Sequence, residues 1–224
     1  MSYETWYEEP FTMLDVETTG LDAHDRVVQL GLARFERGKL VDSWGTLVWA
    51  GVEIPEEATK IHGVRTIDVA NAPTWTAVLP KVISLTRGSH PAAYNEEFDK
   101  RMFMSEMARL ALELDGLDIP IFKRHTRWID PLIWTRSIER FVKGEGRHKL
   151  IKVCERRGIP LPKAHDAVAD AVAAGQVLWD MRHEIGDMTV TELLRQQRLL
   201  ADAQERQYAA WRERKRRSGQ WSGR

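Results

Sequence analysis

Three places in the sequence set carboxylates or an imidazole where they could share one chemical task. The first is Phe11 to Leu21, FTMLDVETTGL, with Asp15 and Glu17 two residues apart at the end of an apolar run. Residues i and i+2 of a strand point to the same face, so both carboxylates project side by side as the strand leaves the sheet. Like charges that close repel, and one is driven to protonate unless a cation lies between them. A divalent ion with oxygen ligands, Mg2+ or Mn2+, resolves the conflict; a solvated pair at a strand end fits the same pattern. The second place is Asn95-Glu96-Glu97-Phe98-Asp99, after the short apolar segment Pro91 to Tyr94. It puts Asp99 on the first turn of a helix beside that segment's end, where open α/β sheets hold ligands. An acid at that position also suits the helix dipole. The third is His165-Asp166-Ala167-Val168-Ala169-Asp170. Asp166 is a natural helix cap, which leaves His165 in the preceding loop. His165 and Asp170 lie about 140° apart on an ideal helix, so they face one point only if that loop turns the histidine back. Taken singly, they also read as a loop histidine and an exposed helix charge.

The rest of the chain must supply the frame. Val27 to Phe35 alternates apolar and polar residues, Glu36 to Lys39 has turn chemistry, and Leu40 to Trp49 follows as a strand, so a hairpin joins the first strand. Gly51 to Pro55 is extended, and Glu56 to Ile61 is one helical turn ending at His62-Gly63. Thr74 caps a helix from Trp75 to about Thr86, with Pro80 kinking or shortening it and Gly88 stopping it. Pro91 to Tyr94 is a strand, and Glu96 to Leu114 a helix with apolar residues at 98, 102, 103, 107, 110, 111 and 114. Asp115 to Pro120 is loop, and Arg127 to Ile129 a short strand. Helices over Leu132 to Val142 and His148 to Arg157 are separated at Gly144-Glu145-Gly146. In the helix from Asp166 to about Arg182, Ala167, Ala169, Ala171, Ala173, Ala174 and Gly175 are small enough to let it lie close on the sheet, carrying Asp170 toward the first strand. Strands first, then helices interleaved with short strands, predict a mixed α/β sheet with helices on its faces.

Ile185-Gly186-Asp187 reads as a boundary, dividing a domain over residues 1–186 from a helical extension over residues 187–224. Thr189 and Glu192 form a capping box for a helix to about Arg217. Its apolar stripe is thin (Val190, Leu193, Leu200, Tyr208, Trp211) and interrupted by Gln197 and Gln204, so it is expected to stand apart from the main core. From Ala201 onward seven basic residues face three acidic ones. Residues 189–217 could dock a protein partner, or the tail a phosphate backbone; a solvated helix fits equally.

The 224 residues suffice for one domain with an appendage. Lys+Arg and Asp+Glu both total 33, so a nucleic acid would have to be held by a local patch or through metal ions. The single cysteine, Cys154, excludes an intrachain disulfide and suits a reducing, cytoplasmic setting. The acidic, polar N-terminus does not read as a signal peptide, and no apolar run reaches the length of a membrane span.

Together, Asp15-x-Glu17-Thr-Thr-Gly-Leu, Asn95-x-x-x-Asp99 and His165-x-x-x-x-Asp170 resemble the three-part signature of the DEDDh (DnaQ-like) 3′–5′ exonucleases, which include polymerase proofreading subunits, RNase T and oligoribonuclease. Order and spacing agree over about residues 10 to 182, and Ile61-His62-Gly63 and His148-Lys149-Leu150 resemble further family elements. In many members a histidine precedes the second motif, where this chain has Tyr94-Asn95. The resemblance implies a ribonuclease H-like mixed sheet with helices on both faces and the middle of its first three strands antiparallel. It implies two ions, Mg2+ or Mn2+, one on Asp15, Glu17 and Asp170, the other on Asp15 and, mainly through water, Asp99. His165 would be the general base, imidazole being the side chain best suited to take a proton near neutral pH. Thr18, Leu21, His62 and Asn95 would line the site of the terminal nucleotide, and nucleic acid with a free 3′ end would yield nucleoside 5′-monophosphates. The alternatives are a proofreading module bound to a polymerase through its C-terminal helix, another metal-dependent phosphodiesterase or endonuclease on this fold, and a binding protein that has lost its metals. All five residues being present speaks against the last.

Overall fold

The computed structural model describes residues 5–110 and 116–218. Strands β1 (Phe11–Thr18), β2 (Val27–Glu36), β3 (Lys39–Leu47) and β4 (His90–Ala92) form one sheet in the order β3-β2-β1-β4. β2 runs antiparallel to both β1 and β3, whereas β4 is parallel to β1. The expected hairpin is therefore present, and its turn places Arg37 and Gly38 at φ 49° and 75°. Positive φ at both central residues matches the right-handed twist of the strands, and glycine reaches it without a Cβ clash.

Helices α1 (Glu56–His62), α2 (Thr66–Val69) and α3 (Trp75–Thr86) lie between β3 and β4, and α4 (Glu96–Arg109) follows β4. Then come α5 (Pro131–Ile138), α6 (Leu150–Arg157), α7 (Ala167–Asp180), α8 (Arg182–Ile185) and α9 (Val190–Arg217). Alternation along β1 sends Phe11 and Met13 into a core shared with α5, α6, α7 and α9. Leu14 and Val16 enter a second core with α3, α4 and Trp128. Both faces of β1 are buried, which is why its apolar residues Phe11, Met13, Leu14 and Val16 fall on both of its sides.

Several expected elements are adjusted. α3 runs through Pro80 without stopping, because Pro80 and Thr76 both face solvent, where water can take the carbonyl that proline leaves unbonded. Thr74 begins that helix by backbone position alone, with no side-chain cap bond. α4 is described to Arg109; positions 111 to 115, the four N-terminal residues and Arg224 lie outside the described residues. The strand expected at Arg127 to Ile129 is a single bridge from Ile129 to Ala92. Among the described residues no helix is long and apolar enough to cross a membrane.

The largest correction concerns α9. Val190 and Leu193 are buried in the same core as Phe11 and Ala174, so its first turns belong to the domain that was expected to end at Gly186. The two glutamines that interrupt its apolar stripe account for the misreading. Gln197 is buried with both ends of its amide on backbone groups, at Asp130 N–H (2.8 Å) and the Trp128 carbonyl (2.9 Å), and Gln204 donates to the Ile133 carbonyl (2.8 Å). The expected boundary is also tied down. The Trp6 amide donates to the Met188 carbonyl, its indole to that of Gly186, and the Tyr7 hydroxyl to Asp187. Burying Val190 and Leu193 contributes about 1.5–3 kcal/mol each, a large share of a stability of about 5–15 kcal/mol. A chain ending at Gly186 is therefore expected to melt far below the full chain or without cooperativity, whereas one ending at Gln207 should melt nearly as the parent does. Superimposable melting curves for the Gly186 truncation and the full chain would refute this.

Candidate active site

Asp15 and Glu17 lie on the face of β1 that α7 covers, in alternation with Phe11 and Met13. α7 comes close because the sheet leaves it room. A Cβ on Gly31 of β2 would lie 2.1 Å from the Ala167 carbonyl oxygen, and a Cβ on Gly175 would strike the Phe35 ring at the same distance. Asp166 caps α7 through the Ala169 amide, and Asp170, one turn further on, is buried. His165 precedes the cap at φ 61°, a left-handed conformation uncommon outside glycine. That turn is what sequence spacing required: the His165 backbone N–H donates to Asp170 Oδ2 (2.9 Å), and the ring comes back over the helix. One ligand atom each from Glu17, His165 and Asp170 lie within 4.8 Å of one another.

Asp99 arrives from the other side of β1. β4 ends at Ala92, opposite Met13, and the Asp99 carboxylate accepts the Val16 N–H (3.1 Å) that a longer β4 would have satisfied. α4 is pinned further along as well, where buried Glu106 accepts from the Arg26 guanidinium (2.8 Å) and the Val27 amide (3.2 Å).

Four carboxylates so gathered oppose one another's ionisation. Burial first, then Asp99, Asp170 and Glu17, lift Asp15 well above the usual carboxylate range. Burial, then Asp170 and Asp166, push Glu17 up to about 7. Burial lifts Asp99 and Asp170 too, against hydrogen bonds from Val16 and His165 that favour their ionised forms. An all-carboxylate set with one imidazole beside it suits a divalent cation such as Mg2+ or Mn2+, which would hold these groups ionised at neutral pH. The sign of the pH dependence follows. A carboxylate whose pKa rises on folding favours the fold below its ordinary range, and that contribution is lost as pH rises through its folded value. In chelator the melting temperature is expected to fall between about pH 5 and about pH 8, through the region near 7 where Glu17 titrates. Mg2+ should raise it more at the alkaline end. A melting temperature that is flat with pH in chelator would contradict this account.

The residues expected to line a nucleotide pocket are less uniform. Thr18 is buried, and its hydroxyl donates to the Gly20 carbonyl (2.6 Å), which shapes the turn after β1. Leu21 is 74% exposed and offers a bare apolar surface. Both ring nitrogens of His62 are already engaged: Nδ1 accepts from the Val64 amide (3.0 Å), which puts the proton on Nε2, facing the Thr18 carbonyl (3.3 Å). Burial lowers its pKa, so it stays neutral and ties the end of α1 to the end of β1. Asn95 is exposed in the left-handed region (φ 76°) and starts α4.

Sequence reasoning missed Asp130. It is buried, caps α5 through the Leu132 amide (2.8 Å), and accepts the amides of Asn95 (3.0 Å) and Glu96 (3.2 Å). Burial pushes it up to about 6 in spite of those bonds. The signal available was Asp130-Pro131, an acid before proline at a helix start, which reads as a cap and nothing more.

The profile of the exonuclease family (RNase_T) matches residues 12–178. An uncharacterised exonuclease of Escherichia phage 186 is 32% identical over 171 residues, which cover 74% of this chain and 84% of the phage protein. A PolC-type DNA polymerase III of Caldanaerobacter subterraneus subsp. tengcongensis is 28% identical over 194 residues. That match covers 85% of this chain but 13% of the polymerase, so the chain spans a small part of this relative. Among solved structures, exonuclease X in complex with 5′-overhanging duplex DNA shares the fold, with a TM-score of 0.64 at 20% identity, over 84% of this chain and 99% of that one.

Proposed function

Since the chain belongs to the DnaQ-like exonuclease family, we propose that it hydrolyses the terminal phosphodiester of a nucleic acid in the 3′–5′ direction and releases nucleoside 5′-monophosphates. The observation that supports this most is the convergence of Glu17, His165 and Asp170 at the end of β1, with Asp15 on the same strand face and Asp99 arriving across it. Asp15, Glu17, Asp99 and Asp170 would hold two divalent ions, Mg2+ or Mn2+. Bound there, the ions would lower the pKa of water and neutralise charge on the scissile phosphate.

The remaining steps fall to side chains. His165 is exposed, so its ring can reach a water at the phosphate while its backbone stays anchored to Asp170; it would take the proton as general base. Leu21 would pack against the terminal base, and Thr18 and His62, locked together through the Thr18 carbonyl, would fix the floor beneath it. Asn95 would border the strand's approach. Degradation of 5′-labelled DNA and RNA oligonucleotides, single- and double-stranded, with Mn2+, Mg2+ or chelator, tests the reading. A ladder shortening from the 3′ end, absent in chelator and stalled by a non-hydrolysable 3′ linkage, is expected. Cleavage that ignores the 3′ block would make the protein an endonuclease instead.

A further inference from the structure

The segment Trp128 to Asp130 lies at the outer margin of the sheet. Ile129 bonds inward to β4, its amide to the Pro91 carbonyl (2.9 Å) and its carbonyl to the Ala93 amide (3.0 Å). The backbone groups on either side point outward, and there the Gln197 amide meets them: Oε1 accepts from Asp130 N–H (2.8 Å), and Nε2 donates to the Trp128 carbonyl (2.9 Å). One glutamine of α9 thus takes the place of a neighbouring strand. The Asp130 side chain then reaches the start of α4. One oxygen accepts from the Leu132 and Asn95 amides, the other from Glu96 N–H. Asn95 sits in a left-handed conformation (φ 76°), which asparagine tolerates better than most residues, and Asp130 holds its amide there. Four residues later comes Asp99, bonded to Val16 N–H.

We infer that Gln197 and Asp130 form a positioning relay by which the C-terminal helix sets where Asp99 stands beside Asp15. Neither side chain touches the carboxylate cluster. Gln197 acts through backbone, on the segment that carries Asp130, and Asp130 acts on the first turn of the helix that carries Asp99; the Asp130 charge also opposes ionisation of Asp99, an effect that Gln197→Met leaves in place. α9 is thereby a working part of the site. The metal-binding side of this inference rests on the function proposed above; the effect on Asp99 does not. Outlying groups that orient ligands typically matter by about 10- to 100-fold in metal affinity or activity.

The test compares Gln197→Met and Asp130→Asn with Gln204→Met in the full chain. Gln204→Met removes a bond of the same kind from the same helix, to the Ile133 carbonyl, without touching Asp130. Three quantities are read: amide hydrogen exchange at Val16 in chelator, Mn2+ affinity by calorimetry without substrate, and exonuclease kcat and KM. Gln197→Met and Asp130→Asn should speed Val16 exchange and weaken Mn2+ binding by about 10- to 100-fold, with kcat falling more than KM rises. Their effects should not add in the double variant, because both act through one contact chain. Gln204→Met should lower the melting temperature but leave the Val16 amide and Mn2+ affinity as in the parent. If Asp130→Asn does not fold, Gln197→Met alone decides. The inference is overturned if Gln197→Met, like Gln204→Met, shifts only the melting temperature. An inactive parent chain would defeat the functional reading, yet Val16 exchange would still decide on the relay.

Discussion

Replacing Asp15 by asparagine is expected to abolish nucleotide release and, in chelator at about pH 8, to raise the melting temperature. The two effects share one cause. Asp15 resists ionisation because it is buried and faces Asp99, Asp170 and Glu17. Asparagine has the same shape without the charge, so three carboxylates lose a repelling neighbour and the metal-free fold gains stability. The same exchange removes the side chain that, in the proposed function, would serve both ions, and with it the capacity to gather positive charge at the phosphate. Mn2+ should then raise the melting temperature of Asp15→Asn much less than that of the parent. Opposite movements of stability and activity separate this outcome from simple misfolding, which lowers both. Turnover near that of the parent, in a preparation free of contaminating nuclease, would sink the metal-binding role of the cluster.

For His165 the expected loss is about 10²- to 10⁴-fold in kcat, the range of a well-placed general base. Asparagine is the better replacement, because it tolerates the left-handed backbone that His165 adopts at φ 61°. The bond to Asp170 comes from the His165 backbone and survives the substitution. Some activity should remain, since bound metal still favours ionisation of water. An imidazole must be neutral to accept a proton, so the parent's rate should climb with pH through its titration, and His165→Asn should lose that limb. The ring also lies within ligand distance of Glu17 and Asp170, so a second outcome has a signature of its own. A base leaves Mn2+ affinity unchanged when removed, whereas a ligand lowers it. Superimposable pH–rate profiles of variant and parent would remove His165 from the chemistry.

Much of this architecture could be read before any coordinates. The apolar run of β1, the period-2 alternation of β2, the turn chemistry at Glu36 to Lys39 and the caps at Asp166 and Thr189 are local signals, and local signals are what sequence displays best. Asp15, Glu17, Asp99 and Asp170 stood out because acids at element ends are conspicuous, and His165 because it precedes the Asp166 cap. What stayed hidden involves partners far apart in the chain. Gln197 looked like a flaw in an apolar stripe, because an amide that pairs with backbone has no periodicity to betray it. Asp130 went unremarked, because its bonds to Asn95 and Glu96 span 35 and 34 residues. The small face of α7 was legible, but its complement, Gly31 in the middle of β2, meets Ala167 only through the fold.

The Gln197 amide also bears on how copies of the protein behave toward one another. An unpaired sheet margin is a template on which another chain can add as a strand. Here one margin ends in an amide that saturates the Trp128 carbonyl and the Asp130 N–H. The opposite margin, β3, is open, with Leu40 and Val41 exposed between Lys39 and Asp42, whose charges discourage a flat apolar partner. The sheet is therefore closed to strand addition on the side nearest its carboxylates and guarded by charge on the other. An apolar residue at 197 would leave the Trp128 carbonyl and the Asp130 N–H unpaired beneath α9, whose buried Val190 and Leu193 still cover that margin, so the closure has a steric part that outlasts the hydrogen bonds.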